Sequence, residues 1–211
     1  MPDLKFRVEG AAGAAPAAVP LMNFRVRVIN REIGLVQMAA LECRIEIEIP
    51  RDSTPRDRER MKELFGESSR WAETRDRLLW SSASLIVPPF SSSIVCDLLA
   101  PCSFDFNVAA TKYFYGLGEG AAALCFHFKG NAVYETESGV RSAAVAPQEA
   151  HYSLPAAAWI QLMEHYYPAS VWLRLPRETF DRFYRYKLDH GIEKWEDVFE
   201  DLLPESGELV N

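Results

Sequence analysis

Alternation of apolar and polar residues dominates the first two thirds of the chain. From Ile33 to Ile49, Leu41, Cys43, Ile45, Ile47 and Ile49 fall on one side. Glu42, Arg44, Glu46 and Glu48 fall on the other. A period of two with one apolar face predicts a strand with one buried side. Leu4 to Val8, Phe24 to Val28, Leu85 to Val87, Ile94 to Leu99 and Val140 to Val145 give shorter strands of the same kind. Asn30-Arg31 predicts a turn, and the Pro- and Ala-rich residues 10–20 predict an extended loop. A hairpin is predicted over Ser103 to Tyr134. Phe104, Phe106 and Val108 alternate in its first arm, and Leu124, Phe126 and Phe128 alternate with Cys125, His127 and Lys129 in its second. Gly116, Gly118 and Gly120 predict the connecting turn, and Gly130-Asn131 the next one, before a third strand at Val133-Tyr134.

The period changes to helical in two places. Asp57 to Phe65 and Trp71 to Trp80 predict a polar helical insertion at about residues 55–80, with Gly66 as a stop. Beyond residue 150 three helices follow. Ser153 with Pro155 predicts a start, and Trp159, Leu162, Met163, Tyr166 and Tyr167 share one face. Pro176 opens a second helix carrying Phe180, Phe183 and Tyr184, which Gly191 ends. Trp195, Val198, Phe199, Leu202 and Leu203 define the third. Strands first and helices last predict an α+β chain. The expected architecture is an antiparallel immunoglobulin-like β-sandwich over residues 1–150 with a helical insertion. C-terminal helices at 151–211 pack on it, the whole forming one structural domain.

Size and charge narrow the function classes. A chain of 211 residues can bury about 70% of its unfolded surface, which needs no metal or disulfide. The net charge is −7, and −6 of it comes from seven carboxylates set against Lys194 beyond Ile192. That balance argues against nucleic acid. Cys43, Cys96, Cys102 and Cys125 form no Cys-x-x-Cys pair and are expected to be reduced, in a cytoplasmic protein. A Cys96–Cys102 bridge is the one conceivable disulfide among neighbours in sequence. No apolar run reaches the ~20 residues of a membrane helix, and Lys5, Arg7 and Glu9 interrupt any signal-peptide core.

Candidate chemistry is thin at this level. His127 faces away from Leu124, Phe126 and Phe128, and a solvated or cross-strand-paired imidazole is its expected state. Glu149 and His151 would point the same way in a strand, yet they precede a helix start and read as loop groups. An enzyme would have to draw on Glu149, His151 or His127 with Asp105. Asp105 and Asn107 are too few for a hard cation. His165 and the charges of the second helix read as solvated. The Gly116–Gly120 run lacks the lysine and following helix of a phosphate loop. No catalytic, cofactor-binding or metal residue is therefore assigned. Tyr184 and Tyr186 cannot both face one core from a single helix. With Tyr166, Tyr167 and Trp195 they form a candidate protein interface.

Four blocks carry a resemblance: LFGESSRWAETRDRLLW (64–80), APCSFDFNVAATKYFYGLGEG (100–120), YSLPAAAWIQLMEHYYP (152–168) and LPRETFDRFYRYKLDHG (175–191). Together they resemble an uncharacterised bacterial family associated with gene clusters of actinobacterial-type, oxygen-tolerant nickel–iron hydrogenases. The resemblance implies a protein partner, a hydrogenase subunit or maturation factor, and brings no catalytic residue. The expected function is a non-enzymatic accessory or assembly protein of such a system. A small-molecule or lipid-binding sandwich is the alternative.

Overall fold

The computed structural model describes residues 3–14, 16–32, 34–48, 77–102, 113–114, 117–118, 120–170 and 175–203. Two compact units divide the chain, Met1–Ser170 and Val171–Asn211. Among its described residues the first holds seven antiparallel strands: β1 (Leu4–Gly13), β2 (Leu21–Asn30), β3 (Val36–Glu48), β4 (Arg77–Val87), β5 (Ser93–Pro101), β6 (Ala121–Thr136) and β7 (Gly139–Pro155). Helix α1 (Ala156–Tyr166) follows in that unit, and α2 (Arg177–Asp189) and α3 (Trp195–Leu202) lie in the second. The class is α+β, as the order of elements predicts.

The strands lie in two sheets, one ordered β1-β2-β5 and the other β4-β3-β6-β7. Apolar residues of both fill the space between. Phe24 of β2 meets Phe126 of β6 edge to face at 4.9 Å and Trp80 of β4 at 6.0 Å. Phe6 of β1 stacks on Phe128 at 4.4 Å. Such aromatic pairs add about 0.5–1.5 kcal/mol each beyond the area they bury. Polar contacts tie the sheets at both seams. Ser81 donates to the Pro101 carbonyl at 2.9 Å, joining β4 to β5. Lys5 donates to Gln148 at 3.0 Å, joining β1 to β7. All four cysteines are free and buried. Burial raises the thiols of Cys43 and Cys102 to about 12.

Helix α1 seats on this body through Trp159, which stacks on Phe114 at 5.0 Å. Leu162 lies over Gly13, where an added Cβ would come within 3.0 Å of its side chain. Tyr166 donates to the Ala17 carbonyl at 2.8 Å. No side chain caps the helix; the Ala156 amide donates instead to the Gly120 carbonyl at 2.9 Å. In the second unit Lys187 donates to the carbonyls of Ile192 and Glu193 at 2.6 and 2.7 Å and closes the turn between helices. Gly191, at φ +64, supplies the left-handed residue that ends α2.

Several expectations need correction. Residues 77–80 are not helical but open β4, because pairing with Glu46, Ile47 and Glu48 satisfies their backbone and puts Trp80 beside Phe24. The rest of the expected insertion, and the Phe104–Val108 arm of the hairpin with Asp105 and Asn107, lie outside the described residues. Strand β1 continues through Gly13, past a bulge at Val8/Gly10. Ser153 is a strand residue, and β7 runs far beyond Val145. The turn expected at Gly130-Asn131 is the middle of β6.

Gly130 is there for space. A Cβ built on it would lie 2.1 Å from the Ala40 carbonyl oxygen and 2.9 Å from the Leu41 Cα, both backbone atoms of β3. A glycine inside a strand commonly marks such a close approach. Gly130→Ala is expected to force β3 and β6 apart, at a cost of about 1–3 kcal/mol. Thermal unfolding should show Tm lower by about 3–10 °C. An unchanged Tm would mean that the two strands are not this close.

Candidate functional site

Strands β3 and β6 sit in the middle of the four-stranded sheet, so their outward residues are flanked on both sides. The register sets Glu46 opposite Cys125 and Arg44 opposite His127. It also sets Cys125 opposite His151, and His127 opposite Glu149, on β7. Glu48 pairs with Arg77 on β4. Alternate residues share a face, so Glu46, Glu48, Arg77, Cys125, His127, Glu149 and His151 converge on the outer side.

Arg77 is the hub. It donates to Glu149 at 3.1 and 3.5 Å and pairs with Glu48 at 3.2 Å. Its guanidinium also lies 3.3 Å from the His127 ring. His127 bridges Glu46, at 2.9 Å from Nε2, and Glu149, at 3.2 Å from Nδ1. His151 lies 3.2 Å from Glu48 and 3.9 Å from Glu149. These groups are half-buried or exposed except Glu46, which is 8% exposed. Exposed ion pairs of this kind contribute about 0–1 kcal/mol each. The hydrogen bond from Arg77 holds Glu149 below the usual carboxylate range. Burial alone would raise Glu46. Hydrogen bonds from Arg44 and His127 outweigh it and hold Glu46 below 4.5.

Cys125 breaks the rule of its face. An outward strand residue is normally wet, yet Cys125 is 0% exposed. The side chains around it form the cover. Loss of water is the first cause that pushes its thiol up to about 12, partly offset by the Arg77 charge. Two sets of possible ligand atoms share that sulfur. In each, the atoms lie within 4.8 Å of one another: Cys125 with His127 and Glu149, and Cys125 with Glu48 and His151. Beside the cluster an open groove of ≈ 820 Å³ runs over the same face. It is lined by Glu42, Arg44, Glu46, His127 and Lys129 with Ser82 and Ser84 of β4.

The structure thus joins His127 to Glu149 and His151, which the sequence offers as a pair in a loop. His127 is cross-strand paired, as expected. Glu149 and His151 are strand residues of β7, not loop groups, and share a side as alternation requires. Arg77 was hidden in a segment with a helical pattern. The expected interface residues fall in both units, two in the first and three in the second. Tyr166 and Tyr167 pack half-buried against the core of the first unit. Tyr184 is 48% exposed on α2. Tyr186 is held by Asp201 of α3 at 2.5 Å, and Trp195 lies 5.3 Å from Phe180.

The chain belongs to a family of unknown function, DUF6084, whose model matches residues 1–210. No curated protein matches it. Among solved structures it is similar, at 14% identity and a TM-score of 0.26, to a novel beta-glucosidase from Paenibacillus barengoltzii. That match covers 68% of this chain and 13% of the other. At that score the likeness carries no argument about fold or activity. Among the described residues, no helix is long and apolar enough to cross a membrane.

The lowered carboxyl of Glu46 has a pH signature. A folded-state pKa below the unfolded value adds stability above about 4.5 and loses it as pH falls through the lower value. Glu46→Gln is expected to lower Tm at pH 7 by about 1–4 °C. The gap from the parent should close as pH falls below about 4.5 and through the lowered folded-state value, where both side chains are neutral. Thermal unfolding across that range would show it, and a gap that persists at low pH would assign the effect to packing.

Proposed function

We propose that this chain is a non-enzymatic accessory protein of the cytoplasm that acts by binding another protein. In keeping with the resemblance of its four sequence blocks, the partner is a subunit or maturation factor of a nickel–iron hydrogenase. The observation that carries the reading is the second unit. No residue of α2 is buried. Phe180, Tyr184 and Leu188 on α2, with Phe199 and Leu202 on α3, are all at least 39% exposed. The α2–α3 aromatics are already ordered against one another: Phe180 and Tyr184 both flank Trp195, at 5.3 and 6.4 Å. Rigid aromatic groups at the edge of a surface suit the anchor positions of an interface, where a few residues carry most of the affinity. Acidic Glu196, Asp197 and Glu200 rim them, which suits a partner with a basic border.

The sandwich supports the same reading as a scaffold. Among the described strands, the order departs from the immunoglobulin constant arrangement at β4. There the fourth strand joins the first sheet; here β4 pairs with β3 in the second. The body is accordingly read as an immunoglobulin-like module with a switched strand.

Retrieval of a tagged chain from its native host should bring hydrogenase subunits or maturation factors with it, and deletion of the gene should lower hydrogenase activity. Tyr184→Ser with Trp195→Ser should keep the circular dichroism of the parent while weakening binding to the purified partner by about tenfold or more. Recovery of this polypeptide alone, with normal hydrogenase activity in the deletion strain, would overturn the proposal.

A further inference from the structure

We propose that the outer face of the four-stranded sheet binds one divalent transition-metal ion of the zinc class through Cys125, His127, His151 and Glu149. The site belongs to the first unit and does not rest on the partner reading. Thiolate, imidazole and carboxylate are the ligand types that a borderline-soft cation selects over calcium or magnesium. They come from two adjacent strands, β6 and β7, at paired positions. Backbone hydrogen bonding therefore fixes the spacing of the four ligands before any ion arrives. The donor atoms lie within 4.8 Å of one another in each of the two sets that share Cys125. Glu149 links the two sets, with His127 Nδ1 at 3.2 Å and His151 Nε2 at 3.9 Å from its oxygens, separations close to those between ligands of one tetrahedral zinc.

The strongest observation is the covered sulfur. A cysteine that serves only as an apolar filler belongs on the inner face with Cys43, Cys96 and Cys102. Cys125 instead occupies an outward position, dry and close to Arg77, Glu149 and His151. The thiol is within hydrogen-bond reach of Glu149, and the same carboxylate and imidazoles are good co-ligands for a thiolate. Glu46 and Glu48 supply the outer hydrogen bonds, to His127 and His151 at 2.9 and 3.2 Å. A carboxylate behind a histidine orients the ring and raises its basicity in metal sites.

Arg77 fills the place of the cation when no metal is bound. Its charge balances Glu48 and Glu149, and it stands 3.3 Å from the His127 ring. Entry of the ion turns the guanidinium outward from the edge strand and releases one proton, that of the Cys125 thiol, as the sulfur–metal bond forms. Removal of Arg77 therefore strengthens binding, which a merely structural salt bridge would not do.

The test uses the full chain after treatment with a chelator. Titration with Co²⁺ should give one equivalent of binding with a near-ultraviolet thiolate charge-transfer band and visible absorption of a tetrahedral ion. Zn²⁺ should displace it and raise Tm. Cys125→Ser should abolish the charge-transfer band, and His127→Gln with His151→Gln should weaken Zn²⁺ by about tenfold or more. Arg77→Gln should tighten it. Circular dichroism and Tm in the absence of metal identify any variant that fails to fold, and the single His151→Gln, at an exposed ring, then carries the ligand test. Failure of the parent to bind Co²⁺ or Zn²⁺ at micromolar concentrations overturns the site, as does a cobalt band unchanged by Cys125→Ser.

Discussion

The pairing of β3 with β6 is the constraint on which the rest of this protein depends. Both strands lie inside the larger sheet, and both alternate apolar and polar residues, with Glu46 and Cys125 the outward residues that are nonetheless buried. One register sets Ile45 beside Phe126 and Ile47 beside Leu124 in the core. The same register sets Glu46 beside Cys125 and Arg44 beside His127 outside. A slip of one residue would exchange the faces, exposing the isoleucines and burying the carboxylates. The energy of the apolar face therefore fixes the geometry of the polar one. Gly130 enforces it locally, since only a residue without Cβ allows β3 to lie this near.

Much of this was legible in the chain. The outward set Glu42, Arg44, Glu46 and Glu48 follows from alternation alone, as do Cys125, His127 and Lys129. Helices α1, α2 and α3 follow from their apolar spacing and from Pro176 and Gly191. Strand β7 was not legible beyond Val145, and the reason is physical. Only Val145, Ala150 and Leu154 of its residues are buried, so no run of large apolar groups announces it. A bulge opposite Phe128/Gly130 shifts its register, and Pro147 sits there, where a ladder can tolerate a missing amide. Local pattern also misled at Arg77–Trp80, where pairing to a strand far away in sequence outweighs helical spacing.

The convergence of side chains on the outer face was the least legible feature. Each member could be placed on a face, but the register that brings β3, β4, β6 and β7 together is a long-range property. Glu149 and His151 lie more than twenty residues from His127 in sequence, and Arg77 lies fifty away. What reads as solvated charge in isolation becomes a connected network with a dry thiol at its base. Among the described residues two distinct kinds of surface stand out. One is a charged sheet face fixed by backbone hydrogen bonds, and the other is an aromatic helix pair.

The four interior thiols have a further consequence. None is bridged, so the fold gains nothing from an oxidising environment, and its sulfurs are shielded only while it stays folded. Unfolding bares all four at once, at ordinary acidity and within reach of one another along a flexible chain. Oxidant then acts on the denatured population, and scrambled bridges would block return to a sandwich that has no place for them. Loss of this protein under oxidative stress is accordingly governed by how often it opens, and not by any reactive sulfur on its surface.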